Sequence, residues 1–445
     1  MKTPQLLKQA LKFVCLLLVL PIAVQAQLTF TTNNGAITIT GYTGNPTTLD
    51  IPSMTNGYPV TSIESNAFNG SSFVNVTIPG SIITIGDWAF YGCQNLTNVT
   101  MADGVTNIGN YTFMDCISLA KITIPDSVTN LGLESFAICE NLNSIAFGNG
   151  LTTIGDDAFR DCFGLTNVGI PNNVTSLGDG AFSVCKNLTN ATIGSGVTNI
   201  GVGPFSDCQS LTAITVDNNN PAYASVDGVL FNQSQTVLLE YPAGRTGAYQ
   251  IPNSVTLITG VAFGACFGLT GVTIPNTVTN IIGGAFANCY GLTNITIPAS
   301  VTFISGGAFF NCTNLCSVFF EGNAPATIGP MPVFSSLQSN AIGYYPLGKT
   351  GWGSTYSGLP TVLWNPQAQT GDSSFGVRTN QFGFNITGSS NLVIVVEVCT
   401  NLTNPVWMPV STNTLNTFIG TNGTSYFSDP QWTNYPSRFY RFSSP

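Results

Sequence analysis

Leu119-Ala-Lys-Ile-Thr-Ile-Pro-Asp-Ser-Val-Thr-Asn-Leu-Gly-Leu-Glu-Ser-Phe-Ala-Ile-Cys139 is one unit of a pattern that recurs every 23 residues and decides the fold. Ile122 and Ile124 alternate with Thr123, a period of two in a stretch of β-branched residues, which predicts a short half-buried strand. Pro125 ends it, because proline cannot donate to a ladder. Val128 and Leu131 supply the next apolar pair, Gly132 a bend, and Phe136 and Cys139 the close of the unit.

Outward from this unit, cysteine falls at 23-residue intervals at Cys93, Cys116, Cys139, Cys162, Cys185 and Cys208, and again at Cys266, Cys289 and Cys312. A phenylalanine stands three residues before each and a leucine three residues after each. A unit of this size cannot bury its own apolar face, so the copies stack into a solenoid, a form suited to contact surfaces. The expected class is a mainly β repeat solenoid of 23-residue units: one strand per rung joins a parallel sheet, Phe fills the interior, and the Val128/Leu131-type pairs form the opposite wall. In-register cysteines on stacked strands keep their Cβ atoms near the strand spacing of about 4.7–4.9 Å, beyond the usual bridging distance, so free buried thiols are expected.

The interval between Cys208 and Cys266 is 58 residues instead of 46. The excess predicts a long insert repeat at about 217–252, with a hairpin around Asp227-Gly228 and a return to the ladder at Tyr249-Gln250-Ile251-Pro252. Residues 27–64 read as an N-terminal strand and cap, 65–320 as the array, and 321–366 as a closing cap. Residues 367–374 read as a polar linker, and 375–445 as a small C-terminal β module resembling a sandwich.

The first 26 residues carry Lys2, Lys8 and Lys12, then an apolar run from Phe13 to Val24, then small residues, the form of an export signal. This predicts a secreted or cell-surface protein with no transmembrane segment in the mature chain. Without that segment, eight basic residues face 20 acidic ones, a net charge of −12, which argues against nucleic acid as a partner. Histidine is absent, so imidazole-activated nucleophiles, histidine bases and histidine zinc sites are excluded. No catalytic, metal-binding or cofactor-binding residue is assigned, no cofactor is expected, and the chain is read as a non-enzyme and a monomer.

The pattern Leu-Thr-x-Ile-x-Ile-Pro-x-x-Val-Thr-x-Ile-Gly-x-x-Ala-Phe-x-x-Cys, clearest at Leu119–Cys139, Leu269–Cys289 and Leu292–Cys312, resembles the BspA-like leucine-rich repeats of bacterial surface and secreted proteins. Ala102, Gly148, Gly194 and Asp217 depart from it at the proline position. The resemblance implies a leucine-rich-repeat solenoid used for protein contact or adhesion, and it brings no catalytic residues.

In such a solenoid the residues between buried strand positions face outward on the concave wall. The candidate partner surface is therefore Asn98, Thr100, Lys121, Thr123, Asn190, Thr192, Thr215, Thr273, Asn294 and Thr296, for an extracellular protein or matrix component. Polysaccharide is the alternative ligand, on the array or on the aromatic C-terminal module (Trp407, Tyr426, Trp432, Tyr435). Cys316 and Cys399 lie outside the ladder and are a candidate disulfide in an oxidising compartment. Acidic residues such as Asp87, Asp156 and Asp179 cluster at the Phe-Cys bends, where they read as Ca²⁺ ligands or, by preference, as turn-forming side chains.

Overall fold

The structure, a computed structural model, describes residues 27–338, 340–389, 392–415 and 423–443. The 1–26 segment, read as an export signal, lies outside them. The chain winds as a β-solenoid of about 13 turns with 23-residue spacing. A single 3-10 turn, Trp432–Asn434, is the one helical element among the described residues, and no helix there is long and apolar enough to cross a membrane.

Each regular rung has three sides. The first is the strand anticipated above, such as Lys121–Thr123, which pairs in parallel register with Ser144–Ala146. The second holds a further strand of two residues, such as Asn130–Leu131, paired with Asn107–Ile108 before it and Thr153–Ile154 after it. One strand per rung therefore becomes two, because the wall pair buries Leu131 and turns Asn130 outward, a two-residue alternation too short to stand out in the sequence. The third side is the Phe-Cys bend, joined rung to rung by backbone bonds such as Phe136 N to Ala158 O at 2.8 Å.

Packing follows from the strict register. Identical side chains lie one above another, so the phenylalanines form a face-to-face column: Phe90 on Phe113 at 5.0 Å, Phe113 on Phe136 at 5.2 Å and Phe136 on Phe159 at 5.3 Å. The cysteines form a parallel column of buried free thiols. Each but Cys266 donates to the carbonyl of the phenylalanine one rung back, as Cys139 Sγ does to Phe113 O at 3.2 Å, while Cys266 Sγ faces Tyr241 O at 3.8 Å. Burial pushes the Cys139 thiol up to about 12, so it stays protonated. Gly132 owes its place to close approach between rungs, since a Cβ there would lie 2.7 Å from Asn110 N. The acidic bend residues bond between rungs: Asp87 Oδ1 accepts from Asn110 N at 2.7 Å, and Asp156 Oδ1 from Asp179 N at 2.8 Å.

The residue before each cysteine has a left-handed backbone, with φ of 60° at Asn288 and 57° at Asn311. Ile138 holds the same conformation at φ 59°, where a β-branched side chain is strained. Ile138→Asn is expected to raise stability by about 1 kcal/mol, measured as an increase in the urea midpoint at constant slope.

Tyr223–Val226 and Val229–Asn232 form an antiparallel hairpin, Val237–Glu240 pairs with the latter and leads into the wall ladder at Leu257–Ile258, and Gly247–Gln250 rejoins the first side against Leu269–Thr273. Val229, Leu230 and Phe231 are all buried, so the insert is a rung of altered form and no projecting arm. It divides the interior into two clusters, with Leu230 packed into the first and Val229 and Phe231 into the second. It also leaves Phe205 N without the backbone carbonyl that its counterparts use. The buried carboxyl of Glu240 takes that place, its oxygens 3.1 and 3.2 Å from Phe205 N.

Residues 321–366 do more than cap, since Ile342–Pro346 and Leu359–Trp364 extend the first-side ladder in parallel and Ala326–Ile328 extends the wall. The linker at 367–374 is in part a strand: Gln367–Gln369 pairs antiparallel with Gln381–Gly388. Its polar residues belong to a sheet edge, where no apolar pattern is needed. The C-terminal module is two antiparallel sheets, one built around Gln381–Gly388 and one around Val393–Cys399, enclosing Phe384, Ile386, Ile394, Val396 and Phe427. That core is continuous with Phe319 and Tyr344 of the array.

Candidate functional site

On the first side of each rung alternate residues point out, and register turns them into columns. Thr77 stands beside Thr100, Thr123 beside Ala146, Thr192 beside Thr215 and Gln250 beside Thr273. The neighbouring column places Asn75 beside Asn98, Lys121 beside Ser144, and Asn167 beside Asn190. Thr100, Lys121, Thr123, Asn190, Thr192, Thr215, Thr273 and Asn294 are exposed, and Asn98 and Thr296 are half-buried. All ten candidate residues thus lie on one face. They form a line along the array and no single pocket.

Hydrogen bonding separates this face from the other threonine columns. Where the chain enters the wall strand, the threonine hydroxyls are engaged by the preceding rung: Thr129 Oγ1 donates to Thr106 O at 3.1 Å, and Thr152 Oγ1 to Thr129 O at 2.9 Å. The hydroxyls of Thr123, Thr192, Thr215, Thr273 and Thr296 have no protein partner among the described residues. They are neutral donors and acceptors held at a fixed repeat and free to bond outward.

Toward the C-terminal end the face becomes concave locally. Thr273, Asn294 and Thr296 line a groove of about 380 Å³ with Gly271 and Glu321. Thr296 and Glu321 also border a second cleft of about 490 Å³, whose walls are Phe319, Tyr344, Trp364 and Phe442. In the threonine column Phe319 and Tyr344 replace the hydroxyls, stack at 5.0 Å, and carry the C-terminal module. This aromatic replacement was missed from the sequence. Its signal was present in Val318-Phe-Phe320 and Tyr344-Tyr345, at positions where earlier rungs carry threonine.

Cys316 and Cys399 are not joined: Cys316 Sγ donates to Asn314 O at 3.3 Å and Cys399 Sγ to Asn401 O at 3.1 Å, and both thiols are free. Each satisfies itself within its own turn. No group of three or more acidic or cysteine ligands able to hold a metal occurs among the described residues.

Comparison with known proteins agrees with this architecture. Six copies of the BspA type leucine-rich repeat region match, over residues 61–189, 106–237 and 245–339. A leucine-rich cell surface protein of Faecalibacterium prausnitzii is 32% identical, with 66% of this chain and 86% of that one covered and a TM-score of 0.57. The pneumococcal vaccine antigen PcpA shares the fold at 18% identity, with 73% and 92% covered and a TM-score of 0.55. Among curated proteins, none matches. The repeat period, the three-sided rung and the matched residues place this chain in the BspA-type leucine-rich-repeat family.

Proposed function

We propose that the protein is exported and acts at or outside the cell surface as a monomeric, non-catalytic scaffold whose outward strand face binds an extracellular protein or matrix component. The observation that carries this reading is the contrast between threonine columns: one is engaged in the ladder, while the other presents free hydroxyls beside a column of amides. A partner strand or loop laid along the array meets a donor or acceptor at each rung, and the groove at Thr273, Asn294 and Thr296 gives it a seat. The basic-then-apolar N-terminus and the likeness to a cell surface protein support the exported setting.

The polysaccharide alternative is less favoured on the C-terminal module. Arg441 covers the Trp407 ring at 4.5 Å, Arg438 covers Tyr435 at 4.6 Å, and Trp432 Nε1 donates to Asn380 O at 3.4 Å. Those aromatic groups are engaged within the module.

The test is binding of residues 27–445 to an array of extracellular-matrix and surface proteins. Thr123→Arg combined with Thr273→Arg is expected to weaken a saturable interaction at least tenfold, while the urea midpoint moves by no more than about 0.5 kcal/mol equivalent, as for exposed substitutions. Undiminished binding by the double variant would remove this face from the account.

A further inference from the structure

The bend side of the first rungs carries a second surface. Two residues before each core phenylalanine the backbone is left-handed, at Asn66, Trp88, Tyr111, Glu134, Asp157, Gly180 and Gly203. Glycine, asparagine and aspartate tolerate this conformation, and bulky residues are strained in it. Trp88 at φ 55° and Tyr111 at φ 57° are the two aromatic occupants, in successive rungs. Trp88 keeps 38% of its surface exposed. A strained bulky side chain kept at the surface points to a role other than folding.

The geometry supplies one. The two rings are stacked, 4.9 Å apart and within 6° of parallel. They occupy equivalent positions in adjacent rungs, so the second face of Trp88 is turned toward the preceding rung. There the equivalent residue is the short Asn66, whose Oδ1 accepts from Asn69 Nδ2 at 3.1 Å. Tyr91 stands beside Trp88, and together these side chains border an open cleft of about 600 Å³. The Trp88 indole N–H and the Tyr91 and Tyr111 hydroxyls have no protein partner among the described residues. The one acid at the cleft, Glu134, is held by Arg160 at 2.6 Å. The surface is therefore a bare aromatic face rimmed by amides and hydroxyls, with its single carboxylate neutralised.

We propose that this cleft binds a neutral polysaccharide, with one pyranose ring lying flat on the free face of Trp88 and its ring hydroxyls bonded by the Asn66 and Asn69 amides and the Tyr91 hydroxyl. A pyranose joins an apolar face of C–H groups to an equatorial rim of hydroxyls, the complement of an aromatic plane with polar edges. Anionic surfaces are not matched, since no Lys or Arg lines the cleft among the described residues and Arg160 beside it is already paired with Glu134. The site lies on a different side of the rung from the strand face.

The experiment is calorimetric titration of residues 27–445 with hexasaccharides of β-1,4-linked glucose, N-acetylglucosamine, xylose and mannose, with tryptophan fluorescence read in parallel. Saturable binding of at least one is expected, weakened about tenfold or more by Trp88→Asn and less by Tyr111→Asn. Asparagine already holds this position in the preceding rung, so the left-handed bend accepts it; Trp88→Gly is the second variant if the urea midpoint falls. The Thr123→Arg/Thr273→Arg protein should bind the sugar unchanged, which separates this site from the strand face. Absence of saturable binding to all four hexasaccharides, or affinity in Trp88→Asn and Trp88→Gly equal to that of the wild type, overturns the proposal.

Discussion

Phe136→Ala is expected to destabilise the first half of the array by about 3–5 kcal/mol, the range for removing a fully buried phenylalanine. Its ring is fully buried and stacks on Phe113 at 5.2 Å and Phe159 at 5.3 Å, so truncation opens a gap in the column and bares both neighbours. Stability in a solenoid is a sum of rung and nearest-neighbour terms, and damage stays local unless the interfaces carry it on. The ring column runs unbroken from Phe68 to Phe205 and again from Phe263 to Phe334, and the insert separates the two runs. Hydrogen exchange of Phe136→Ala should therefore show lost protection from about Phe68 to Phe205, with residues beyond Phe263 close to wild type. Uniform loss along the whole array would show that the insert transmits cooperativity as well as a regular rung does.

The second large effect is expected at Glu240 and depends on pH. Burial pushes its carboxyl up to about 8 from an ordinary value of 4.5, and the bond from Phe205 N only partly opposes the rise. The fold thus prefers the protonated acid, whereas the unfolded chain ionises near 4.5. The stabilising difference is complete below the unfolded value and is lost as pH climbs through the folded one. Between pH 5.5 and 8 this amounts to a loss on the order of 3 kcal/mol. Nearby Cys208 and Cys266 are held well above their usual range by burial and remain neutral throughout. Glu240→Gln keeps an acceptor for Phe205 N and removes the titration. Urea unfolding at pH 5.5 and 8 should show a falling midpoint for the wild type and a nearly level one for the variant. Parallel slopes in the two proteins would assign the pH dependence elsewhere.

Much of the fold was legible because the array repeats itself. A single Ile-Thr-Ile triplet is ambiguous, but ten copies in register leave one solution, and the buried Phe, Cys and Leu columns follow from their fixed offsets. The two-residue wall strands were harder to see, since Asn130–Leu131 is too short to show a period. The outer columns were legible for the same reason as the core: Thr123 is exposed because Ile122 and Ile124 are buried. Features that depend on contacts between unlike segments were not legible. Nothing local marks Glu240 as the substitute for a missing carbonyl, or Phe319 and Tyr344 as the floor beneath a second domain. Trp88 and Tyr111 were visible as aromatic residues, but their stacking needed the rung spacing and the left-handed bend together.

The strict 23-residue register also bears on how such a chain changes over generations. Between Phe90 and Phe205 each rung presents nearly the same upper and lower surface, so duplication or deletion of one whole unit restores every stacking and ladder contact at the junction. The molecule's reach becomes a quantity that recombination can adjust in steps of one rung, about 4.7–4.9 Å, without redesign of either end. A duplication begun or ended out of phase meets the glycine contact at Gly132 and the thiol-to-carbonyl bonds with the wrong residues. Whole-unit changes are the ones that survive, and relatives of this chain should differ in length by multiples of 23 residues.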